Sequence, residues 1–213
     1  APVIFDQQFN AETKPDGWTE TIGTPGTDSI TYSGNGVTLH KDTSGKSAFL
    51  QYDFDEQMTG VIEFTVDFKT TSTGFVNLFF LRGNGNKYAV TVAVQNNILM
   101  VNENDKSWSN NINLFNNTKT RLVPGVDYTL RAVVDCDNER VYLYISGESL
   151  IADGEGDTVG ETVAMGDNLY LGNFDFRVNG QPVLAYRMGS DIQKAESDFT
   201  VYSITAKQLS AGG

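Results

Sequence analysis

Cysteine is nearly missing from this chain. Cys136 is the only one among 213 residues. It has no internal partner for a disulfide, and a cysteine-based zinc site cannot be built. Histidine is equally scarce. His40 stands alone, so a His-rich metal site is excluded and any His-based dyad has a single candidate. No apolar run approaches the ~18 residues of a spanning helix, so a membrane span is not expected. Positive charge is short as well, with 15 Lys and Arg against 27 Asp and Glu and a net charge of −12. Nucleic acid binds through clustered Lys and Arg, and anionic membranes through basic amphipathic helices, so neither is an expected partner. A uronic-acid polymer stays open, because a local basic cleft can lie in an acidic surface. Long helical periodicity is also absent, and with it the crossover helices of a parallel α/β fold.

What is present is alternation. Ile62, Phe64, Val66 and Phe68 alternate with Glu63, Thr65, Asp67 and Lys69. A period of two sends the first set to a core and the second to water or a ligand. Tyr88 to Gln95, Tyr128 to Val134 and Val141 to Ile145 repeat the pattern. Further strands are expected at Val3 to Phe9, Ser47 to Phe54, Phe75 to Leu81, Ile98 to Val101, Ile112 to Phe115, Leu169 to Leu171, Val183 to Tyr186 and Phe199 to Leu209. Ile30 to Tyr32 and Val37 to His40 flank Ser33-Gly34-Asn35-Gly36, a hairpin signal because Asn-Gly takes positive φ cheaply. Pro124-Gly125 suits a type II turn. One or two helical turns fit Ile192 to Glu196. Many short strands without a linker predict one all-β, antiparallel β-sandwich over residues 1–209, with 210–213 as a flexible tail. The start at Ala1-Pro2-Val3 suits a mature exported protein or a segment cut from a longer chain.

The order of segments resembles the concanavalin A-like lectin and glucanase group, a LamG-type jelly roll. The likeness rests on Val3-Ile4-Phe5-Asp6 with Phe9 and Gly17-Trp18, on Gly60 to Val66, on the Tyr128 to Tyr144 hairpin, and on a closing strand from Phe199 to Ala206. The resemblance implies a sandwich whose last strand pairs beside the first. It implies binding to carbohydrate, action on polysaccharide, or binding to protein. The fold alone does not choose among these.

The residues narrow the chemistry. The Glu-x-Asp-x-x-Glu strand of laminarinase-like members is missing, and Glu63 and Asp67 lie about 13 Å apart along one strand, too far for a glycosidase pair unless a neighbouring strand contributes a carboxylate. The Arg-rich, Gln-Ile-His and Tyr-Lys-Ala-Gly-x-Tyr strands of jelly-roll alginate lyases are also missing. Elimination from a uronate still has candidate groups in His40, Arg131, Tyr142, Tyr144, Tyr186 and Arg187. Sugar binding wants flat aromatic rings beside polar donors. Tyr142 and Tyr144 fall on the non-core face of their strand, and Arg131 falls on the matching face of its neighbour. Trp108, in an Asn-rich stretch, is the other candidate platform, whereas Trp18 is expected in the core. A structural calcium is expected where Asp6 and Asp198 converge, if the first and last strands pair, with Asp153 to Asp157 as another candidate. Cys136 between Asp135 and Asp137 is no candidate nucleophile, since two carboxylates raise its pKa.

The expected function is a secreted or cell-surface, bacterial, non-catalytic carbohydrate-binding module. Its partner would be a polysaccharide or glycan, and a catalytic domain could be tethered to it. The alternatives are a small jelly-roll polysaccharide lyase and a protein-binding adhesin module.

Overall fold

A computed structural model describes residues 1–43, 45–71, 76–82, 88–95, 98–103, 114–115, 122–138, 140–146, 158–160, 171–179 and 196–211. Fifteen strands lie among them: β1 (Val3–Gln8), β2 (Trp18–Ile22), β3 (Ser29–Tyr32), β4 (Val37–Lys41), β5 (Ser47–Met58), β6 (Val61–Thr70), β7 (Val76–Arg82), β8 (Tyr88–Gln95), β9 (Ile98–Glu103), β10 (Leu114–Phe115), β11 (Asp127–Asp135), β12 (Arg140–Ser146), β13 (Thr158–Gly160), β14 (Leu171–Asn179) and β15 (Ser197–Ser210). They form two antiparallel sheets. The first runs β13-β12-β11-β6-β15-β4-β3, with β1 also on β15; the second runs β10-β9-β8-β7-β14-β5-β2. This is the expected all-β, concanavalin A-like sandwich, and no helix occurs among the described residues.

Alternation builds the first sheet. In β6 every second residue is buried and every other one half-buried, from Val61 to Thr70. β11 repeats this, with Tyr128, Leu130, Ala132 and Val134 turned inward. Paired strands share a face residue by residue, so Leu130 meets Val66 and Ala132 meets Phe64 on the core side. β15 is the longest strand at 14 residues. One edge of it pairs with β6. Its other edge takes β4 along Ser197 to Val201, and β1 along Ser203 to Lys207. The first and last strands therefore pair, as the resemblance implied.

Aromatic rings join the sheets. Trp18 of β2 stacks on Phe176 of β14 at 6.0 Å and 18°. Phe176 meets Phe199 of β15 at 6.2 Å, Phe199 meets Phe68 of β6 at 5.9 Å, and Phe68 meets Tyr128 of β11 at 6.2 Å. The Tyr128 hydroxyl sits 2.8 Å from the Val123 amide and accepts its hydrogen bond. Trp18 is 3% exposed, so it is core, as expected, and its indole N–H donates to Gln7 Oε1.

Several turns follow their residue chemistry. The β3–β4 hairpin closes with Gly34 and Gly36 at φ 85° and 118°. A Cβ at Gly36 would press the Val201 carbonyl oxygen at 3.0 Å, so glycine is needed there for space as well as for φ. Gly125 has φ 80°, which suits the third residue of a type II turn.

Other details depart from expectation. The strand expected to end at His40 runs on to Lys41, which is fully buried. Burial pulls its ammonium below the usual lysine range, against the charges of Asp28 and Asp42. Asp28 is buried too, and its Oδ2 accepts from the amides of Thr24, Lys46 and Ser47, which clamps the β2–β3 and β4–β5 turns together. Ser210 belongs to β15 rather than to a tail. The strand expected at Val183 to Tyr186 and residues 192–195 of the expected helical turn lie outside the described residues.

Trp18 has ring partners on both sheets' sides of the core and no exposed face. Trp18→Ala is expected to cost about 3–5 kcal/mol of unfolding free energy, measured by urea denaturation. A cost under ~1 kcal/mol would show that these rings do not join the sheets.

Candidate functional site

The outward residues of the first sheet make one polar face. Register brings Arg131 of β11 opposite Tyr144 of β12 and opposite Thr65 of β6. Val133 lies opposite Tyr142 and Glu63. The guanidinium carbon of Arg131 sits 3.9 Å above the centre of the Tyr144 ring. Its Nη1 reaches Glu63 Oε2 at 3.3 Å. Tyr142 is 38% exposed, one of few large apolar-bodied side chains at the surface among the described residues. The structure thus brings together Tyr142, Tyr144 and Arg131. The strand alternation foretells that grouping; the Arg131–Tyr144 stacking depends on rotamers and does not follow from it.

Beside this group the face is laced with hydrogen bonds. Asp67 accepts from Thr129 Oγ1 at 2.5 Å and from Ser203 Oγ at 3.1 Å. Tyr202 donates to Asp127 at 2.6 Å. Burial, and then this contact with Asp127, push the Tyr202 phenol up to about 12. These acceptors are already engaged, whereas Tyr142 and Arg131 are each partly open to solvent.

A second group lies at the far end of the same face. Pairing of β4 with β15 sets His40 opposite Asp198. His40 Nδ1 is 2.6 Å from Asp198 Oδ1, and its Nε2 is 3.6 Å from Glu196 Oε1. One ligand atom each from His40, Asp42 and Glu196 lie within 4.8 Å of one another, a group able to hold a metal ion. Four strand spacings across the sheet and about seven residues along it, roughly 30 Å in all, separate it from Tyr144. The sequence reading treats His40 as a strand-end residue and misses this convergence, because Glu196 and Asp198 arrive from the far end of the chain.

The expected calcium pair is not brought together. Asp6 sits opposite Thr205, seven residues along β15 from Asp198, which is about 24 Å. The strands do pair, but their register puts the two carboxylates at opposite ends. Trp108, Asp153 to Asp157, Tyr186 and Arg187 lie outside the described residues.

A cleft of about 350 Å³ opens at the edge between β1 and β5, lined by Ile4, Phe5, Tyr52, Phe54, Asp55, Met58, Thr59 and Gln208. Phe5, Tyr52 and Phe54 pack on one another there at 4.7–5.8 Å. The Gln208 amide donates to the carbonyls of Thr59, Val61 and Ser210, so its donors are spent on the chain itself. Cys136 is half-buried at the β11–β12 turn. Burial first, then Asp137 and Asp135, push its thiol up to about 12. Desolvation outweighs the neighbouring charges that the sequence points to.

No known protein-family profile matches the sequence. No curated protein is significantly similar to it in sequence. Solved structures do share its fold. A sialidase superposes with a TM-score of 0.68 at 10% identity, over 96% of this chain and 18% of that one. This chain therefore spans under a fifth of the sialidase's length. A protein described with the endo-acting O-glycanases that members of the human gut microbiota express to initiate mucin breakdown superposes at 0.65 and 9% identity, over 98% and 100% of the two chains. The alginate lyase AlgAT5 of polysaccharide lyase family 7 superposes at 0.54 and 11% identity, over 90% and 94%. At these identities the likeness is one of fold.

The raised thiol and phenol have a consequence in alkali. In the unfolded chain the Cys136 thiol ionises near 9.0 and the Tyr202 phenol near 10.0; folded, both do so near 12. The unfolded state thus loses these protons first. Their stabilisation is complete below pH 9.0 and is lost as pH rises through about 12. Urea midpoints are expected to fall from ~pH 8 to ~pH 10.5, and less steeply in Cys136→Ser. An unchanged slope in that variant would show that the thiol is not held protonated.

Proposed function

We propose that this chain engages a uronic-acid polysaccharide on the outer face of its first sheet and acts on it as a small jelly-roll lyase. The observation that carries this reading is the Arg131–Tyr144 pair, with the guanidinium 3.9 Å over the phenol ring and the exposed Tyr142 alongside. β-Elimination from a uronate needs a cation on the carboxylate, to stabilise the charge that builds as the neighbouring C–H proton leaves. It also needs a base for that proton and an acid for the leaving oxygen. Arg131 would hold the carboxylate in place of Glu63, and the Tyr144 hydroxyl would move the proton. The company that the fold keeps points the same way. Sandwiches of this shape occur in proteins named as a sialidase, an O-glycanase and an alginate lyase. The setting that fits is bacterial and extracellular.

A second reading, binding without turnover, is favoured by one observation. Glu63 already pairs with Arg131, while Tyr142 offers a flat ring that needs no charge. On that reading the chain is a module beside a catalytic domain, and the small share of the sialidase chain that it matches suits this.

The test exposes the protein to alginate, polygalacturonate, a glucuronic-acid polymer and a neutral β-glucan. Ultraviolet absorbance follows unsaturated ends, and affinity electrophoresis follows binding. One acidic polymer is expected to give absorbing product. Tyr144→Phe should abolish product while keeping retention in the gel, and Arg131→Ala should weaken binding by ~10-fold or more. Retention without product would overturn the lyase and leave the binding reading. Neither retention nor product on any polymer would remove the glycan altogether.

A further inference from the structure

We propose that His40, Asp42 and Glu196 bind a first-row divalent cation of the zinc type, with Asp198 orienting the imidazole. The site is independent of the Arg131–Tyr144 pair, at the other end of the same face, so the two proposals succeed or fail separately.

Strand pairing assembles it. His40 lies near the end of β4, Asp42 directly follows that strand, and Glu196 directly precedes β15. The antiparallel ladder joins Lys41 to Ser197 and His40 to Asp198, which carries the three ligands to one spot. Their ligand atoms all lie within 4.8 Å of one another. Around a zinc ion with bonds of about 2.1 Å, tetrahedral ligand atoms stand about 3.4 Å apart. Closing that gap needs a small inward swing, and the Glu196 side chain, 61% exposed, is free to make it.

The imidazole is already turned for the task. Asp198 takes Nδ1 at 2.6 Å, which leaves Nε2 facing Glu196 at 3.6 Å. A carboxylate on one ring nitrogen and a metal on the other is the usual arrangement of a metal-bound histidine. Asp198 is itself held. Its amide donates to Thr71 Oγ1 at 3.1 Å, and its carbonyl accepts from the Thr71 amide at 3.0 Å. On the other side, Asp42 Oδ1 accepts from the Thr43 amide at 2.7 Å, and its carbonyl accepts from Lys41 Nζ at 3.0 Å.

The donor set selects the ion. One imidazole nitrogen with two carboxylates suits zinc and its first-row neighbours. Calcium takes six to eight oxygens and has no use for the nitrogen. The chain's only thiol, Cys136, lies at the β11–β12 turn, away from this group, and is kept protonated by burial. A metal here would clip the end of β4 to the start of β15.

The single histidine makes the test clean, because the imidazole spectrum of the whole chain is one residue. Zn²⁺ is titrated into EDTA-stripped protein, with the ring nitrogens followed by NMR and stoichiometry by equilibrium dialysis. One equivalent is expected to bind and to shift Nε2. Glu196→Gln and Asp42→Asn should each weaken binding ~10-fold or more, and Asp198→Asn by about 10–100-fold. His40→Gln should abolish it. Glu196 is at the surface, so its variant keeps the test valid even if His40→Gln folds poorly. Thermal midpoints should rise with Zn²⁺ concentration and stay put with Ca²⁺. An unmoved imidazole signal at millimolar Zn²⁺ would overturn the proposal, as would one-equivalent binding indifferent to Glu196→Gln and Asp42→Asn, or equal competition by Ca²⁺.

Discussion

The contact of Trp18 on Phe176, carried on through Phe199 and Phe68 to Tyr128, ties one sheet to the other. Each ring comes from a different strand, two from the second sheet and three from the first. Sheets of this kind pack about 10 Å apart, a gap that rings of this size can span. With the inner faces committed, every strand's other face is committed as well. Side chains alternate, so burying Phe68 turns Asp67 and Lys69 outward, and burying Leu130 and Ala132 turns Arg131 outward. The polar face is a consequence of the core.

β15 converts that constraint into two sites on one surface. Its first residues set Asp198 against His40, and its later ones set Ser203 and Thr205 against Asp67 and Thr65. A register irregularity between Val201 and Ser203 inserts Tyr202, whose hydroxyl then reaches Asp127. The extra residue keeps both Val201 and Ile204 in the core. The strand therefore serves the ladder to β4 on one side of the irregularity and the ladder to β1 on the other.

Legibility in the sequence follows the cleanness of alternation. β6, β11 and β12 read directly because apolar residues recur at every second position, with Val133 of β11 a rare apolar residue on the outer face. Tyr142, Tyr144 and Arg131 were readable as sharing a face for the same reason. β14 was harder. Phe174, Phe176 and Val178 do alternate with Asp175 and Arg177, but Gly172 and Asn173 at its start resemble a turn. β2 carries little pattern, since only Trp18 and Ile22 are apolar in it. Lys41 defeated the reading for another reason. A lysine is expected at the surface, and only the three-dimensional neighbourhood of Asp28 and Asp42 makes its burial tolerable.

Period-two patterning is local, so the chain determined by itself that it would be all-β and which residues of its cleanly alternating strands would face the core. Its single cysteine also leaves no disulfide within these residues. Register is not local. Whether Asp198 would meet Asp6 or His40 depended on which stretch of β15 each partner strand occupied, a choice made by the packing of the whole first sheet. Tertiary structure alone placed the imidazole between two carboxylates and laid the Arg131 guanidinium on the Tyr144 ring. Such contacts need ångström placement of groups far apart in the chain, and alternation carries no information at that scale.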